Sequence, residues 1–350
     1  MGKMKVALIG AGQVARVTHI PNYLGMEGVE VVAVCDTNLE SAKNLATQFG
    51  IPHYYNDHRA MLAELKPDIT GVCVPNKFHA AITVDALEAG SHVLCEKPPA
   101  ISFEEAKQME RAAEENNRLL SYGFHLRHDS RVSLLKEKIK QGDFGEVYAA
   151  KASWLRRRGI PGWGSFTNKA VQGGGPLIDI GVHVLDIALY LLDYPPISYV
   201  CADFYNKIGT KGGTGLFGAW DGNTYSVEDS LFGYIHFQNG GSLRVETSFA
   251  LHMKEKDVRS VQLFGDKLGA EVFPLEIYGV DGSRLTNQEY PFMLEEDLHK
   301  KELEHFVRAC QGHETLLVKA KEGTYLQMII EALYKSAEKK QPVIMDTSLE

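Results

Sequence analysis

The chain has 350 residues, 44% of them hydrophobic and 23% charged, with a formal net charge of −8. That length suits two cores rather than one, and the apolar share excludes a disordered chain. The acidic balance excludes a partner held through its phosphate backbone, because the Arg156-Arg157-Arg158 cluster is too short to make a basic face.

Five scattered cysteines (Cys35, Cys73, Cys95, Cys201, Cys310) contain no CxxC pair, which speaks against zinc or dithiol chemistry and for buried, reduced thiols. The sequence shows neither an apolar leader nor a membrane-length run, so a cytoplasmic protein with no membrane partner is expected.

Lys5 to Ile9 is an apolar run that closes on Gly10-Ala11-Gly12-Gln13-Val14-Ala15, a G-x-G-x-x-A pattern between strand and helix. Gly10 makes the tight turn, Gly12 lets the backbone approach a pyrophosphate, and small Ala15 packs helix on strand. Gln13 and Val14, which open the helix, join the candidate cofactor contacts. Glycine-rich turns of this kind are common, and the string alone does not specify a dinucleotide.

A second run, Val29 to Cys35, ends in Asp36, placed roughly twenty residues past the glycines, where a carboxylate accepts from adenosine ribose hydroxyls and repels a 2′-phosphate. Thr37 and Asn38 follow instead of arginine, so NAD is the expected cofactor, with Thr37 beside it. The alternative, Asp36 as cap of the helix from Ser41, leaves the spacing unexplained.

Helical patterning covers Leu39 to Phe49 and His58 to Leu65, and Ile69 to Val74 reads as a strand ended by Pro75-Asn76. Asn76 and His79 then start a helix at the carboxyl edge of the sheet, within reach of a cofactor, although a bare histidine there more often caps or packs. After the helix Ala80 to Ala89, the apolar Val93-Leu94-Cys95 breaks into Glu96-Lys97-Pro98-Pro99. Ligands bind outside the carboxyl ends of such strands, which places Lys97 at the site; a solvated charge pair is the plain alternative. These strand–helix alternations imply a doubly wound sheet, closed by a helix over Ser102 to Asn117 and a strand over Leu119 to Phe124.

The string Val74-Pro75-Asn76 to His79, followed by Ala86 to Pro98 with its Glu-Lys-Pro core, resembles the glucose-fructose oxidoreductase and inositol dehydrogenase (Gfo/Idh/MocA) family over nearly the whole chain. The resemblance implies an α/β protein: a Rossmann NAD-binding domain over 1–124, then an α+β domain over 125–350. The second domain's large, mostly antiparallel open sheet would bind substrate and mediate assembly into a dimer or tetramer. It also implies that Lys97 touches nicotinamide ribose and substrate hydroxyl, with Pro75 and Glu96 in the cofactor site and Glu96 orienting the lysine. His125 and Arg127 fall where members line the substrate mouth, and Arg127 could equally be a salt-bridge partner.

Past Gly145 a strand over Glu146 to Leu155 leads into a glycine-rich aromatic loop, Arg156 to Gly175. Rings with arginines suit a polyhydroxylated substrate, making Trp154, Arg156 and Trp163 candidates, with ordinary packing as the alternative for each. From Gly173 to Asp186 a helix begins in which Asp179 and His183 share one face. A lone histidine in an apolar helix is usually a core residue. The resemblance implies otherwise, matching Asp179 and His183 to a D-x-x-x-H motif that completes the catalytic group with Lys97 and touches substrate. No metal is expected, because Asp179, His183 and Asp186 have no further ligand cluster nearby in sequence.

Strands follow over Ser198 to Tyr205, Ser230 to Phe237, Gly241 to Ala250 and Arg259 to Phe264, with Asn239-Gly240 as a hairpin turn. The loop Asn206 to Thr224 is long enough to cover a pocket, and helices around Leu298 to Cys310 and Lys319 to Ala337 close the chain.

The expected function is hydride transfer between NAD and a secondary alcohol of a sugar, an inositol-like cyclitol or a related polyol. Two rivals stand beside it: a glycosidase that retains NAD and works by transient oxidation and elimination, and a nicotinamide-binding regulator without turnover. The intact set of Lys97, Asp179 and His183 argues against the regulator.

Overall fold

In the computed structural model, which describes residues 2–345, the chain divides into two compact units: Met1–His125 with Glu296–Gln327, and Leu126–Glu295 with Met328–Glu350.

The first unit is built on strands β1 (Met4–Ile9), β2 (Val29–Cys35), β3 (His53–Tyr55), β4 (Ile69–Val72), β5 (His92–Cys95) and β6 (Leu120–Tyr122), in the order β3-β2-β1-β4-β5-β6. Every pairing is parallel. Helices cover both faces of such a sheet, so central strands carry apolar residues without alternation, as the buried Val6, Ala7, Leu8 and Ile9 show. Strand order reverses between β1 and β4, which opens a crevice at their carboxyl ends.

The helix over Leu39–Phe49 is capped by Asn38, whose side chain accepts from the N–H groups of Glu40 and Ser41; the cap is thus Asn38 and not Asp36. The first unit is also discontinuous, which corrects the expected single boundary at 124/125. The helix Leu298–Cys310 sends Leu303, Phe306 and Val307 into the same core as Val6, Leu8 and Leu45.

The second unit holds β7 (Val147–Arg156), β8 (Ile197–Tyr205), a small hairpin of β9 (Gly213–Gly215) and β10 (Gly218–Trp220), β11 (Ser230–Phe237), β12 (Ser242–Ser248), β13 (Asp257–Gly265), β14 (Gly269–Glu271), β15 (Glu276–Asp281), β16 (Arg284–Glu289) and β17 (Val343–Ile344). Its nine-stranded sheet runs β16-β15-β14-β13-β7-β12-β11-β8-β17, antiparallel except where β7 meets β12. The Asn239-Gly240 turn joins β11 to β12 as expected, with Gly240 at φ +88°.

The helix Ser130–Lys140 packs on the helix Val182–Leu191, which lies on this sheet against β7 and β13. The first escaped the sequence reading because it buries little beyond Val132 and Leu135, a faint stripe. Strand β16 escaped because all its residues are exposed and it shows no alternation. By length and composition Lys169–Leu191 could cross a bilayer, yet 89% of its apolar window is buried inside the fold.

Candidate active site

In the first unit the chain leaves β1 through Gly10, at φ +106°, where a Cβ would fall 2.2 Å from the Cys73 carbonyl oxygen. Only glycine fits there on either count. A Cβ on Gly12 would meet no heavy atom within 4 Å, so the turn is open at that position. Gln13 and Val14 start the helix, and Ala15 is fully buried beneath it.

Asp36, at the end of β2, ties this turn down: Oδ2 accepts from the Ala11 N–H at 2.9 Å and Oδ1 from the Asn38 N–H at 2.9 Å. A carboxylate has lone pairs for about four donors, which leaves capacity for ribose hydroxyls. Thr37 follows it, exposed. The glycine turn, its open flank and this carboxylate fit the adenosine and diphosphate portions of a dinucleotide.

At the end of β4, Pro75 precedes a short 3-10 turn over Asn76–Phe78, with Asn76 buried. His79 is 0% exposed, with Nδ1 2.7 Å from the Pro98 carbonyl oxygen and Nε2 2.9 Å from that of Val74. It staples the loop after β4 to the loop after β5, the packing alternative for this residue.

Glu96 likewise turns inward. His19 Nε2 donates to its Oε1 at 2.8 Å, and a Cβ on Gly123 would lie 2.9 Å from its Oε2. Burial pushes the Glu96 carboxyl up, but His19, with Lys97 and His299, outweighs this and brings it down to about 2. For His19 burial opposes charge, while Cys73 and Glu96 raise the imidazole well above its ordinary value. The two form a buried ion pair directly before Lys97, which is half-buried. His19 sits in a π-helical turn, Ala15–His19, of the kind that often marks functional positions. The His125 ring lies against that of His299, centroids 4.0 Å apart and tilted by 32°, and His299 stands on the late helix expected in the second domain.

In the second unit Asp179 lies within another π-helical turn, Leu177–Gly181, that runs directly into the helix of His183. His183 is buried, its ring 5.9 Å from that of Trp154 on β7. Arg156 stacks over Trp154 and over Phe217, at 5.5 and 5.0 Å, and reaches Asp257 Oδ2 at 3.3 Å. Arg259, which sequence reasoning missed, stacks over Trp154 from β13 at 5.5 Å; register pairs it directly with Trp154, a signal invisible before the strands are aligned.

Trp163 is 50% exposed and meets Phe166 and Phe217 edge-on, so the loop after Arg156 packs on the β9–β10 hairpin of the second long loop. Arg127 stands apart. It is 1% exposed, with Nε and Nη2 donating to Asp186 at 2.8 and 2.5 Å and Nη2 also to the Tyr194 hydroxyl. Of its two readings, the geometry favours the salt-bridge partner over the substrate contact. Among the described residues no three His, Cys, Asp or Glu side chains gather as metal ligands.

A glycine turn opening a helix beside an acidic strand end, at the reversal point of a parallel sheet, defines a nicotinamide-dinucleotide-dependent oxidoreductase built on a Rossmann unit. The chain belongs to the Gfo/Idh/MocA family: residues 4–124 match its NAD-binding Rossmann fold and residues 136–345 its C-terminal alpha/beta domain. Over 335 residues it is 46% identical to D-glucoside 3-dehydrogenase of Escherichia coli K12, covering 96% of this chain and 95% of that one. It is 28% identical to 1,5-anhydro-D-fructose reductase of Ensifer adhaerens, covering 98% of each. Levoglucosan dehydrogenase in complex with NADH and L-sorbose shares the fold at a TM-score of 0.85, with 22% identity and 98% of both chains covered.

Proposed function

We propose that the protein is an NAD-dependent dehydrogenase that oxidises a ring hydroxyl of a glucoside, at C3. What carries the substrate side is the 46% identity to D-glucoside 3-dehydrogenase along nearly the full length of both chains. That favours a pyranoside over the inositol-like cyclitols that the sequence alone left equal. Asp36 supports NAD over NADP, since a carboxylate already fixed by two backbone N–H groups repels a 2′-phosphate.

In this reading Lys97 places positive charge beside the substrate oxygen and stabilises the alkoxide that develops there. His183 takes the hydroxyl proton on an imidazole nitrogen, with Asp179 setting its orientation. Bound NAD supplies the acceptor for the hydride. Trp154, beside His183, offers an apolar face to the sugar's C–H groups, while Arg156 and Trp163 supply donors and a further ring. His125, in ring contact with His299, is a further candidate for a polar contact to the sugar. The functional protein in this reading is a homo-oligomer.

The test is an NAD-coupled screen of methyl glucosides, free hexoses, anhydrosugars and inositols. Net NADH with a glucoside, at kcat/KM well above that for inositols, is expected. Glycoside cleavage with no net NADH would replace the reading with the NAD-retaining glycosidase, and no turnover on any substrate would leave a binding module. Lys97→Met and His183→Ala should each lower kcat/KM by about 10²–10⁴, as expected for acid-base groups. NAD affinity, read by fluorescence titration, should change far less.

A further inference from the structure

The run Gly173-Gly174-Gly175-Pro176 and the buried carboxylate of Glu228 have no part in the proposed chemistry as described so far, yet they meet at one point. Glu228 is 5% exposed. Its Oε2 accepts from the Gly175 N–H at 2.9 Å, and its Oε1 accepts from the Leu177 N–H at 3.3 Å and from the Tyr334 hydroxyl at 2.7 Å. The first N–H groups of a helix have no partner within it, and proline has none to offer. Glu228 therefore serves both backbone donors that flank Pro176, where the π-helical turn of Asp179 begins.

The glycines are shaped to this arrangement. A Cβ on Gly175 would lie 2.6 Å from the Glu228 carbonyl oxygen and 3.1 Å from its carboxyl group, and one on Gly174 would lie 2.1 Å from the Tyr334 hydroxyl. One turn further on, a Cβ on Gly181 would lie 2.4 Å from the Thr247 methyl carbon, so the same turn is seated closely on β12. Asp179 lies between these two fixed points and His183 just beyond the second.

We propose that Glu228, held by Tyr334, is a positioning residue: it fixes the start of the helix that presents Asp179 and His183, and through it the orientation of both side chains. The inference rests on the dehydrogenase reading for its kinetic consequence but not for its geometry. Burial pushes the Glu228 carboxyl up, and Tyr334 with the backbone N–H groups of Gly175 and Leu177 opposes this. The positive end of the helix adds to that opposition. The other ionisable groups nearby are Tyr225, whose hydroxyl donates to the Glu228 carbonyl at 3.0 Å, and Asp229, whose carboxylate accepts from the Ile208 and Gly209 N–H groups. A neutral amide of the same shape cannot accept all three donors, because its nitrogen is itself a donor.

The experiment compares full-length wild type, Glu228→Gln and Tyr334→Phe. Misplacement of a catalytic group by about 1 Å costs up to about 10² in rate. Glu228→Gln is therefore expected to lower kcat by about 10- to 100-fold, with sugar KM and NAD Kd changed by less than about three-fold, and Tyr334→Phe to show a smaller loss of the same form. The titration of the His183 imidazole, followed by NMR in the absence of substrate, should shift in both variants. A purely structural Glu228 lowers the melting temperature and leaves kcat per folded molecule and the His183 titration unchanged, which would overturn the proposal. Should Glu228→Gln fail to fold, the same two readouts on Tyr334→Phe decide. Should the wild type oxidise no sugar, the dehydrogenase reading falls, and the His183 titration still decides the positioning role.

Discussion

At the scale of single residues, the Asp36 carboxylate anchors the glycine turn through Ala11, and in the proposed function it also accepts from the ribose hydroxyls. The expected outcome is a kcat/KM for NAD above that for NADP, and Asp36→Ala with Thr37→Arg should reverse the order. That variant should also bind NAD more weakly, because the turn loses its anchor. Parallel steady-state assays with both cofactors check this.

The His19–Glu96 pair predicts a pH signature. Glu96 is depressed to about 2 in the fold, so its contribution to stability is present above the ordinary glutamate value of about 4.3 and is lost as pH falls toward 2. His19 is raised, so its contribution is present below about 6.5 and is lost as pH rises through its elevated folded value. The stability difference between wild type and His19→Asn should thus be largest near pH 5–6 and shrink on both sides. Thermal melts across pH read it; a difference that does not vary with pH would remove the ion pair.

At the scale of elements, Arg127 fastens the segment after β6 to the helix Val182–Leu191, with its guanidinium against Asp186 and the rings of Tyr190 and Tyr194 at 5.0 and 5.7 Å. Removing one partner of a buried pair leaves the other charge uncompensated, at a cost of about 3–5 kcal/mol. Arg127→Ala should therefore melt much earlier, while its folded fraction, counted by active-site titration, keeps near wild-type KM for the sugar. A stable variant with KM raised tenfold would restore Arg127 to the substrate mouth. The two π-helical turns belong at this scale as well. Each widens a helix at a polar side chain, His19 in one unit and Asp179 in the other, and turns of this kind are frequent at functional positions.

At the scale of the whole molecule, the second sheet has one face under helices and one open. The open face is not uniformly apolar. Around β7 and β12 it is a polar ladder, with Lys151 and Ser153 on Glu246 at 2.9 and 3.2 Å. Toward β8 and β11 it becomes aromatic: Tyr199 stacks on His236 at 5.0 Å, and Tyr205 lies beside Phe232. Large aromatic patches on a sheet generally mark interfaces, so light scattering at micromolar concentration should report a dimer or tetramer. Tyr199→Glu with Tyr234→Glu, whose rings lie 6.4 Å apart on this face, should lower the mass toward that of one 38.8 kDa chain. A wild-type protein that is already monomeric would refute assembly through this face.

The sequence by itself determined the features that short-range physics writes locally. The dinucleotide turn was legible because Gly10 needs both positive φ and a missing Cβ. The helices Leu39–Phe49, His58–Leu65 and Leu298–Cys310 were legible because apolar periodicity and end signals act within a few residues. The resemblance then singled out Lys97, Asp179 and His183. Only the tertiary structure decided which partner each polar group takes. Arg127 went to Asp186, His79 to two carbonyls, Glu96 to His19 and Glu228 to the helix start beneath Asp179. It also carried the Leu298–Cys310 helix back into the first core. Most of these pairings join residues far apart in the chain, and a buried polar group is satisfied by whatever partner packing brings within reach, which no local pattern records.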